Sequence, residues 1–588
     1  MNNELYGQRT MDKKNIINIL EEIGTILELK GENPFKSRAY FNAARTLESL
    51  GEDISELVLS GHIEQVKGIG KAIAQKLHIL ITSGSLPYYE ELKKSIPAGL
   101  MEMLKIPGLG PKKVKTIYDK LNISSIGELE YACQENRLRD LSGFGEKSQR
   151  KILEGITLRR KYQERFHYPV ALAEAGEMLD YLRSCPVIGK ISIAGSLRRK
   201  METVQYIDLV ATCPSQQREE AIKYFFRYNK VLKIIGRGTN KSGVILHSGI
   251  QCDLRLVNAE QFPFALHHFT GSKEHNMAIR HRANKKNLTM NEYGLFPHGQ
   301  EKSLICETEE DVFKALGLAF IVPELREGRG EIEQAAKNSL PNLITVNDVQ
   351  GILHVHTTWS DGSASIKEMA EFCRKLGYTY LGISDHSKSA FYANGLSEER
   401  VKQQAEEIER LNEQKKNFVI FKGIEVDILN DGNLDYDDDV LAQFDFVIAS
   451  VHSNFKMSEK EMTTRICRAL EHPLVSILGH PTGRLLLGRE PYPLDMAKVL
   501  ETAAKYGKVI EINANPHRLD MDWRWGALAR KLGVKVAVNP DAHMLQTIRD
   551  VDIGIGIARK GGFEKNEVIN TFACEELKHF LQQNREIT

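Results

Sequence analysis

The stretch Gly351-Ile-Leu-His354-Val-His356-Thr-Thr-Trp-Ser-Asp361-Gly362 begins as an apolar strand and ends in a polar loop. His354 and His356 are two apart, so on a strand both face one side, and Asp361 follows within reach. Downstream, the apolar segments YLGISDH, VIFKGIEVDI, FDFVIASVH, VSILGH, KVIEINAN and KVAVNPDAH alternate with amphipathic helical patterns, as parallel βα units do. His386, Glu425, His452 and His480 each fall at or just beyond an apolar strand, and Asp541/His543 repeat the two-apart pairing. In a parallel βα barrel such strand ends converge on one face, where active sites are built. A lone buried His is usually a satisfied core residue, but six at strand ends, joined by three carboxylates, form a ligand set. Nine N/O ligands without a thiolate suit two or three divalent ions such as Mn²⁺, Zn²⁺ or Fe²⁺, with Glu425 placed to bridge. Such ions lower the pKa of a bound water and clamp phosphoryl oxygens for in-line attack, which makes a phosphoesterase.

Upstream of this third the patterning differs. Residues 1–95 read as helices, for example NIINILEEIGTILELKG, and residues 96–165 as short helices joined by Gly-x-Gly turns. Strands such as ISIAGS, IDLVAT, SGVILHS and CDLRLV interleave with helices over 166–323, and 324–349 is a charged connector with a single Pro. The expected architecture is therefore multidomain: an α-helical N-terminal region, an α+β core, and an α/β distorted barrel over 350–588.

Three segments share one pattern: Val66-Lys-Gly-Ile-Gly-Lys71, Ile106-Pro-Gly-Leu-Gly-Pro111 and Leu141-Ser-Gly-Phe-Gly-Glu146. Gly68/Gly70, Gly108/Gly110 and Gly143/Gly145 permit a tight turn and close approach of another backbone, and the following helix start offers N–H groups to a phosphate. Lys71, Lys112, Lys113 and Lys115 add charge there, and residues 101–160 carry twelve Lys or Arg against eight Asp or Glu. These segments resemble helix-hairpin-helix motifs, which grip the DNA backbone without reading sequence. The first segment as a whole resembles the small N-terminal domain of family X DNA polymerases. That resemblance implies a Schiff-base role for Lys76 in relatives with lyase activity; a simple phosphate contact or solvated Lys is the alternative.

The stretch Ala194-Gly195-Ser196-Leu-Arg198-Arg199-Lys-Met-Glu202-Thr-Val-Gln205-Tyr206-Ile-Asp208 joins a Gly-Ser turn, able to donate to a triphosphate, to a strand carrying one carboxylate. A second strand, Gln251-Cys-Asp253-Leu-Arg255, offers another. With Phe269-Thr-Gly271-Ser272 and Asn276, this resembles the nucleotidyltransferase palm and thumb of a family X polymerase. The resemblance implies a metal triad for Mg²⁺ or Mn²⁺ in which the first strand reads Gly-Asp-x-Asp. Here Gln205 and Tyr206 stand in place of that Gly and first Asp, and His268 replaces the usual Tyr, leaving Asp208 and Asp253. A phenol with pKa near 10 is a poor Mg²⁺ ligand and crowds the cavity, so nucleotide addition is expected to be weak or absent while DNA and dNTP binding persist. Glu202 or a water restoring the metal site is the alternative.

The nine-ligand region, from Gly351 to about 575, resembles the PHP (polymerase and histidinol phosphatase) domain, with Ile352 where relatives often carry Asp. The resemblance extends to His-Pro-Thr-Gly-Arg484 and Asn-Ala-Asn-Pro-His-Arg518; these two Arg either hold substrate phosphates or brace the barrel rim. The whole order resembles bacterial family X polymerases with 3′→5′ exonuclease activity. A DNA-repair enzyme acting on gapped or 3′-ended duplex as a monomer is the leading expectation. A working gap-filling polymerase with proofreading, a scaffold with structural metals, and a hydrolase of small phosphate esters are the alternatives.

Composition constrains the rest. The 588 residues carry 79 Lys plus Arg against 78 Asp plus Glu, so no whole-chain charge points to nucleic acid. Eight scattered Cys without a C-x-x-C pair argue against a thiolate metal site and fit a reduced compartment. With neither a signal-peptide pattern nor a membrane-length apolar run, a cytoplasmic location is expected.

Overall fold

The computed structural model describes residues 13–586, except 51–53, 122, 125, 135–137, 139–140, 142, 164, 391–392, 415–416 and 488–489. The chain divides into two compact units, residues 1–164 and 165–588.

The first unit is helical and built on two cores. Ile16, Leu20, Ile23 and Leu27, one stripe of the helix Lys13–Lys30, are buried against Ala43, Leu47, Ile73 and Leu77. The helix Pro34–Ser49 is started by Asn33, whose side chain accepts from the Phe35 N–H (2.9 Å), with Pro34 at its first position. A second core gathers Leu100, Met103, Val114, Ile117 and Ile152 from the helices Ala98–Leu104, Pro111–Leu121 and Glu146–Gln163.

The second unit begins with a five-stranded sheet in the order Ile191–Ile193, Tyr206–Thr212, Gln251–Val257, Lys241–Leu246, Val231–Arg237. The Tyr206 and Gln251 strands run parallel, pairing Tyr206 with Gln251 and Asp208 with Asp253; the other pairs are antiparallel. A separate core around Phe264, Ile279 and Phe313 holds the following helices and the hairpin Leu288–Pro297.

From Gly351 seven parallel strands follow in sequence order: Gly351–Ile352, Tyr380–Ile383, Val419–Asp427, Phe446–Ser450, Ile477–Leu478, Val509–Asn513 and Val536–Asn539. A parallel bridge between Val355 and Ala542 joins the first strand's extension to the last, nearly closing the barrel. Ile352 lies in the barrel core, fully buried.

The charged connector 324–349 is tied into the fold on both sides. Its charges are matched by partners remote in sequence: Arg326, fully buried, pairs with Glu309 (2.7 Å), Glu324 with Arg559 (2.8 Å) and Glu331 with His275 (2.7 Å). Ile332 and Ala335 join the Phe264 core, and Ile344 and Val349 join the barrel core. Among the described residues no helix is long and apolar enough to cross a membrane.

Candidate metal centre and polymerase-type cleft

The barrel's closure explains how two distant ligand pairs meet. The His356 N–H donates to the Ala542 carbonyl (2.9 Å), and the Ala542 N–H donates to the His354 carbonyl (3.2 Å). Val355 and Ala542 are therefore paired, and their neighbours His354, His356, Asp541 and His543 turn to one face. A second bridge, His386 to Glu425, extends the strands at Tyr380 and Val419 and brings that imidazole over the central carboxylate. His452 and His480 follow the next two strand ends.

Glu425 is the hub. Its oxygens lie 3.4 Å from His354, 3.6 Å from His356, 3.0 Å from His386, 3.2 Å from His452 and 3.0 Å from His480. Asp541 is 3.2 Å from His356 and 3.6 Å from His354, and Asp361 is 3.3 Å from His543 and 3.7 Å from His386. All nine residues thus form one connected cluster. Its floor is buried, and Asp361 and His543 form a partly exposed rim.

The cluster fits divalent ions on a structural test. His354 Nε2, both ring nitrogens of His356 and His480 Nδ1 are buried without a hydrogen-bond partner. Those of His354 and His356 sit 3.2–3.7 Å from carboxylate oxygens without forming hydrogen bonds, as ligands of shared ions would. Three overlapping ligand groups result: His356/Asp361/His386/His543, His354/His356/Asp541 and His386/Glu425/His452. Backbone strain marks the same place, with Asp541 at φ +51° and His480 at φ +22°.

Charge is arranged accordingly. Burial works against the His354 imidazolium, yet Glu511, Asp541 and Glu425 together hold its pKa well above the ordinary value. Burial likewise opposes charge on His452 and His543, but Glu425 and Asp427 push His452 up to about 10, and Asp361 and Asp541 push His543 up to about 9. Burial, aided by His386 and His543, depresses His356 to about 3. Asp361 falls to about 2: burial raises it, but His543, His356 and His386 outweigh that.

Three residues not singled out from the sequence orient the ligands. Glu511, fully buried, accepts from His354 Nδ1 (2.7 Å), the His480 N–H (2.7 Å), Asn539 Nδ2 (3.2 Å) and Asn513 Nδ2 (3.2 Å). Asp427 accepts from His452 Nδ1, and Asp385 accepts from Thr357, Ser360 and Gln404 to tie down the loop between His356 and Asp361. The available signal was a lone Glu inside the apolar strand KVIEINAN, where a carboxylate requires partners.

The two arginines separate. Arg484 is enclosed, donating Nε to the Arg518 carbonyl (2.9 Å), Nη1 to Asp522 (2.8 Å) and Nη2 to the Leu519 carbonyl, so its guanidinium braces the rim. Arg518 faces the cluster, with Nε 3.6 Å from Asp541.

The second candidate site is a cleft of about 840 Å³ lined by Gly195, Ser196, Arg199, Tyr206, Asp208, Lys241, Asp253, Arg255, Phe269, Gly271 and Asn276, among others. The parallel register aligns Asp208 with Asp253. Gly195 (φ +62°) lets the Asp208 carboxylate approach; a Cβ there would stand 2.5 Å from Oδ2. The carboxylates are matched with cations of the chain rather than left open. Asp253 is held by Lys241 (2.9 Å) and by the Gln251 side-chain amide (3.0 Å), and Asp208 lies 3.9 Å from Arg255. Burial pushes Asp208 up to about 6, against the pull of Arg255 and with the help of Asp253. Tyr206 projects into the cleft, 42% exposed. For a pair of divalent ions this donor set offers two carboxylates, each with a positive neighbour, and a phenol where the third carboxylate is expected. Glu202 supplies no replacement, since it is buried and faces Arg524 (3.3 Å) and Arg484 (3.7 Å) on the barrel side. Phe269 stacks under Arg255 (3.9 Å), and Asn276 Nδ2 donates to the His268 carbonyl (2.7 Å).

In the first unit the three Gly-x-Gly turns share one backbone. Gly68, Gly108 and Gly143 have φ of +102°, +86° and +85°, and the residues between the glycines (Ile69, Leu109, Phe144) are buried. A Cβ on Gly70, Gly108, Gly110, Gly143 or Gly145 would meet nothing within 4 Å, so these turns are open on their outer side. Lys76 lies on the helix Lys71–Ser83, its Nζ 4.7 Å over the Tyr88 ring and donating to the Ala72 carbonyl (3.3 Å). Lys113 caps the Phe144 ring (5.6 Å) and Lys115 pairs with Asp119 (2.9 Å).

Comparison with known proteins adds four family matches: helix-hairpin-helix domain at 11–86, SAM-like helix-hairpin-helix tandem at 100–157, DNA polymerase beta thumb at 265–327 and PHP domain at 353–515. The chain is 41% identical over 98% of its length to the full length of the DNA polymerase/3′-5′ exonuclease PolX of Bacillus subtilis (strain 168). Over 40% of the chain it is 32% identical to a protein named "Probable phosphatase" from Thermoanaerobacter sp. (strain X514), covering 96% of that protein. A namesake from Caldanaerobacter subterraneus is 31% identical, with 91% of it covered.

Proposed function

The chain belongs to the bacterial family X DNA polymerases that carry a PHP domain, and we propose that its working active site is the nine-residue barrel cluster, acting as a metal-dependent 3′→5′ exonuclease or 3′-end phosphodiesterase in DNA repair. On this reading residues 1–95 and 96–165 hold gapped or 3′-ended DNA through the three hairpins, residues 166–323 form a palm and thumb that bind DNA and dNTP, and residues 350–588 cleave. The observation that carries it is Glu425 amid five imidazoles, with buried ring nitrogens left without hydrogen-bond partners.

His354, His356, Asp361, His386, Glu425, His452, His480, Asp541 and His543 would hold divalent ions, which would supply a water of lowered pKa and neutralise phosphoryl charge; Mn²⁺ is the leading candidate, then Zn²⁺ or Fe²⁺. The chain's own residues fix the geometry. Glu511 and Asp427 hold His354 and His452 through Nδ1, so each presents Nε2 to the hub. Arg518, close to Asp541, is positioned to take a phosphate oxygen. The partly exposed rim of Asp361 and His543 admits a strand end to an otherwise buried floor.

Primer extension in the polymerase-type cleft is weak or absent, because Tyr206 replaces a carboxylate and Lys241, Gln251 and Arg255 already occupy the other two. Degradation of a 3′-labelled gapped duplex with Mn²⁺ tests the reading. Loss in His354→Ala and His543→Ala supports it, and undiminished degradation in both variants removes this site from the reaction.

A further inference from the structure

We propose that Lys560, on the barrel's helix Val551–Lys560, is a positioning residue for Arg199 in the polymerase-type cleft, so that the phosphoesterase domain completes the neighbouring domain's nucleotide site. The proposal rests on the reading of that cleft as a nucleotide-polyphosphate site.

The helix belongs to the barrel: Val551, Ile555, Ile557 and Ala558 lie in its core. Its last side chain leaves that core and crosses to the palm. Lys560 is 4% exposed, and its Nζ donates to the Arg199 backbone carbonyl (3.0 Å) and to the Glu327 carboxylate. Glu327 in turn accepts from Arg199 Nε (3.0 Å), and Arg199 Nη1 donates to the Thr270 carbonyl. The contacts close a ring: Lys560 holds the backbone of Arg199 directly and its guanidinium through Glu327. Two guanidinium nitrogens of a cleft-lining Arg are thereby fixed, which sets the direction in which its charge meets an anion bound there.

Simple attachment of the two domains would not require this arrangement. Arg559 on Glu324 (2.8 Å) and Arg524 on Glu202 (3.3 Å) already join them through side-chain pairs that touch no cleft-lining residue. Lys560 alone among these contacts reaches both ends of a cleft residue. Orientation held in advance raises affinity by reducing what the ligand must order on binding. An Arg freed of Glu327 retains its charge but not its direction.

The test uses the full chain, with dATP binding followed by calorimetry and Mn²⁺-dependent hydrolysis of bis(p-nitrophenyl) phosphate as the barrel's readout. Lys560→Met should weaken dATP binding about tenfold, Glu327→Gln should do the same, and the double variant should add little, as expected for one shared device. Lys560→Arg should recover most of the affinity, and phosphodiester hydrolysis should stay at the native rate throughout. Native dATP affinity in Lys560→Met overturns the proposal. So does a joint loss of dATP binding and hydrolysis that Lys560→Arg does not rescue, since Lys560 then only attaches the domains. An Arg199→Ala arm separates the premise: unchanged dATP binding there removes the nucleotide-site reading and the proposal with it, whereas loss there with normal Lys560→Met binding overturns the proposal alone.

Discussion

Replacing Glu511 with Gln isolates the orienting shell from the ligands. The carboxylate accepts four hydrogen bonds, two per oxygen: His354 Nδ1 and Asn539 on one, the His480 N–H and Asn513 on the other. Glutamine keeps the volume but turns one oxygen into a donor, so in either rotamer two donors face an NH₂ at about 3 Å in a fully buried site. Each lost charged hydrogen bond at a buried site costs about 1.5–3 kcal/mol. Part of that returns if the site relaxes, and the remainder falls on the orientation of His354 or His480. The expected outcome is Mn²⁺ affinity lowered about 10–100-fold, equivalent to about 1.4–2.7 kcal/mol. Titrating Mn²⁺ against 3′-labelled duplex degradation measures it, and saturating Mn²⁺ should restore most of the native rate. An unchanged Mn²⁺ midpoint would show that Glu511 exerts no control over the orientation of His354 and His480.

Metal binding should release protons: His452, near 10, and His543, near 9, are charged at pH 7.5 and must become neutral to ligate. Mn²⁺ affinity should therefore rise with pH through about 9 and level off above about 10, where both imidazoles are neutral, and calorimetry in buffers of different ionisation enthalpy should detect the released protons; buffer-independent heats would contradict this. Tyr206→Asp should raise extension of a one-nucleotide gap with Mn²⁺ about a hundredfold over the native chain, and no gain would show that the phenol is not the obstacle. Arg484→Ala should lower the melting temperature by about 5 °C with substrate KM little changed, whereas normal melting with a raised KM would make it a phosphate holder.

What was legible from sequence follows from range. The pairs His354/His356 and Asp541/His543 carry a local period of two, so their shared face could be read from the chain alone. That Val355 lies beside Ala542, making one face of the two pairs, is a property of barrel closure across nearly 190 residues. Glu511 showed in the sequence only as a lone charge in an apolar strand, because its four donors come from three other segments and its own strand. The charged stretch 324–349 read as a connector for the same reason: its partners Glu309, His275 and Arg559 lie outside it. At the cleft, Tyr206 was visible in the strand pattern, but the occupation of Asp253 by Lys241 depends on the antiparallel pairing of their strands.

On the proposed function this chain removes nucleotides at the barrel cluster more readily than it adds them at the cleft. One measurement addresses it: a 3′-gapped duplex with a labelled internal primer, incubated with native protein, Mn²⁺ and all four dNTPs, and resolved by primer length. Progressive shortening, abolished by His354→Ala, is the predicted result. Net lengthening by the native chain, abolished by Asp253→Ala, would contradict it.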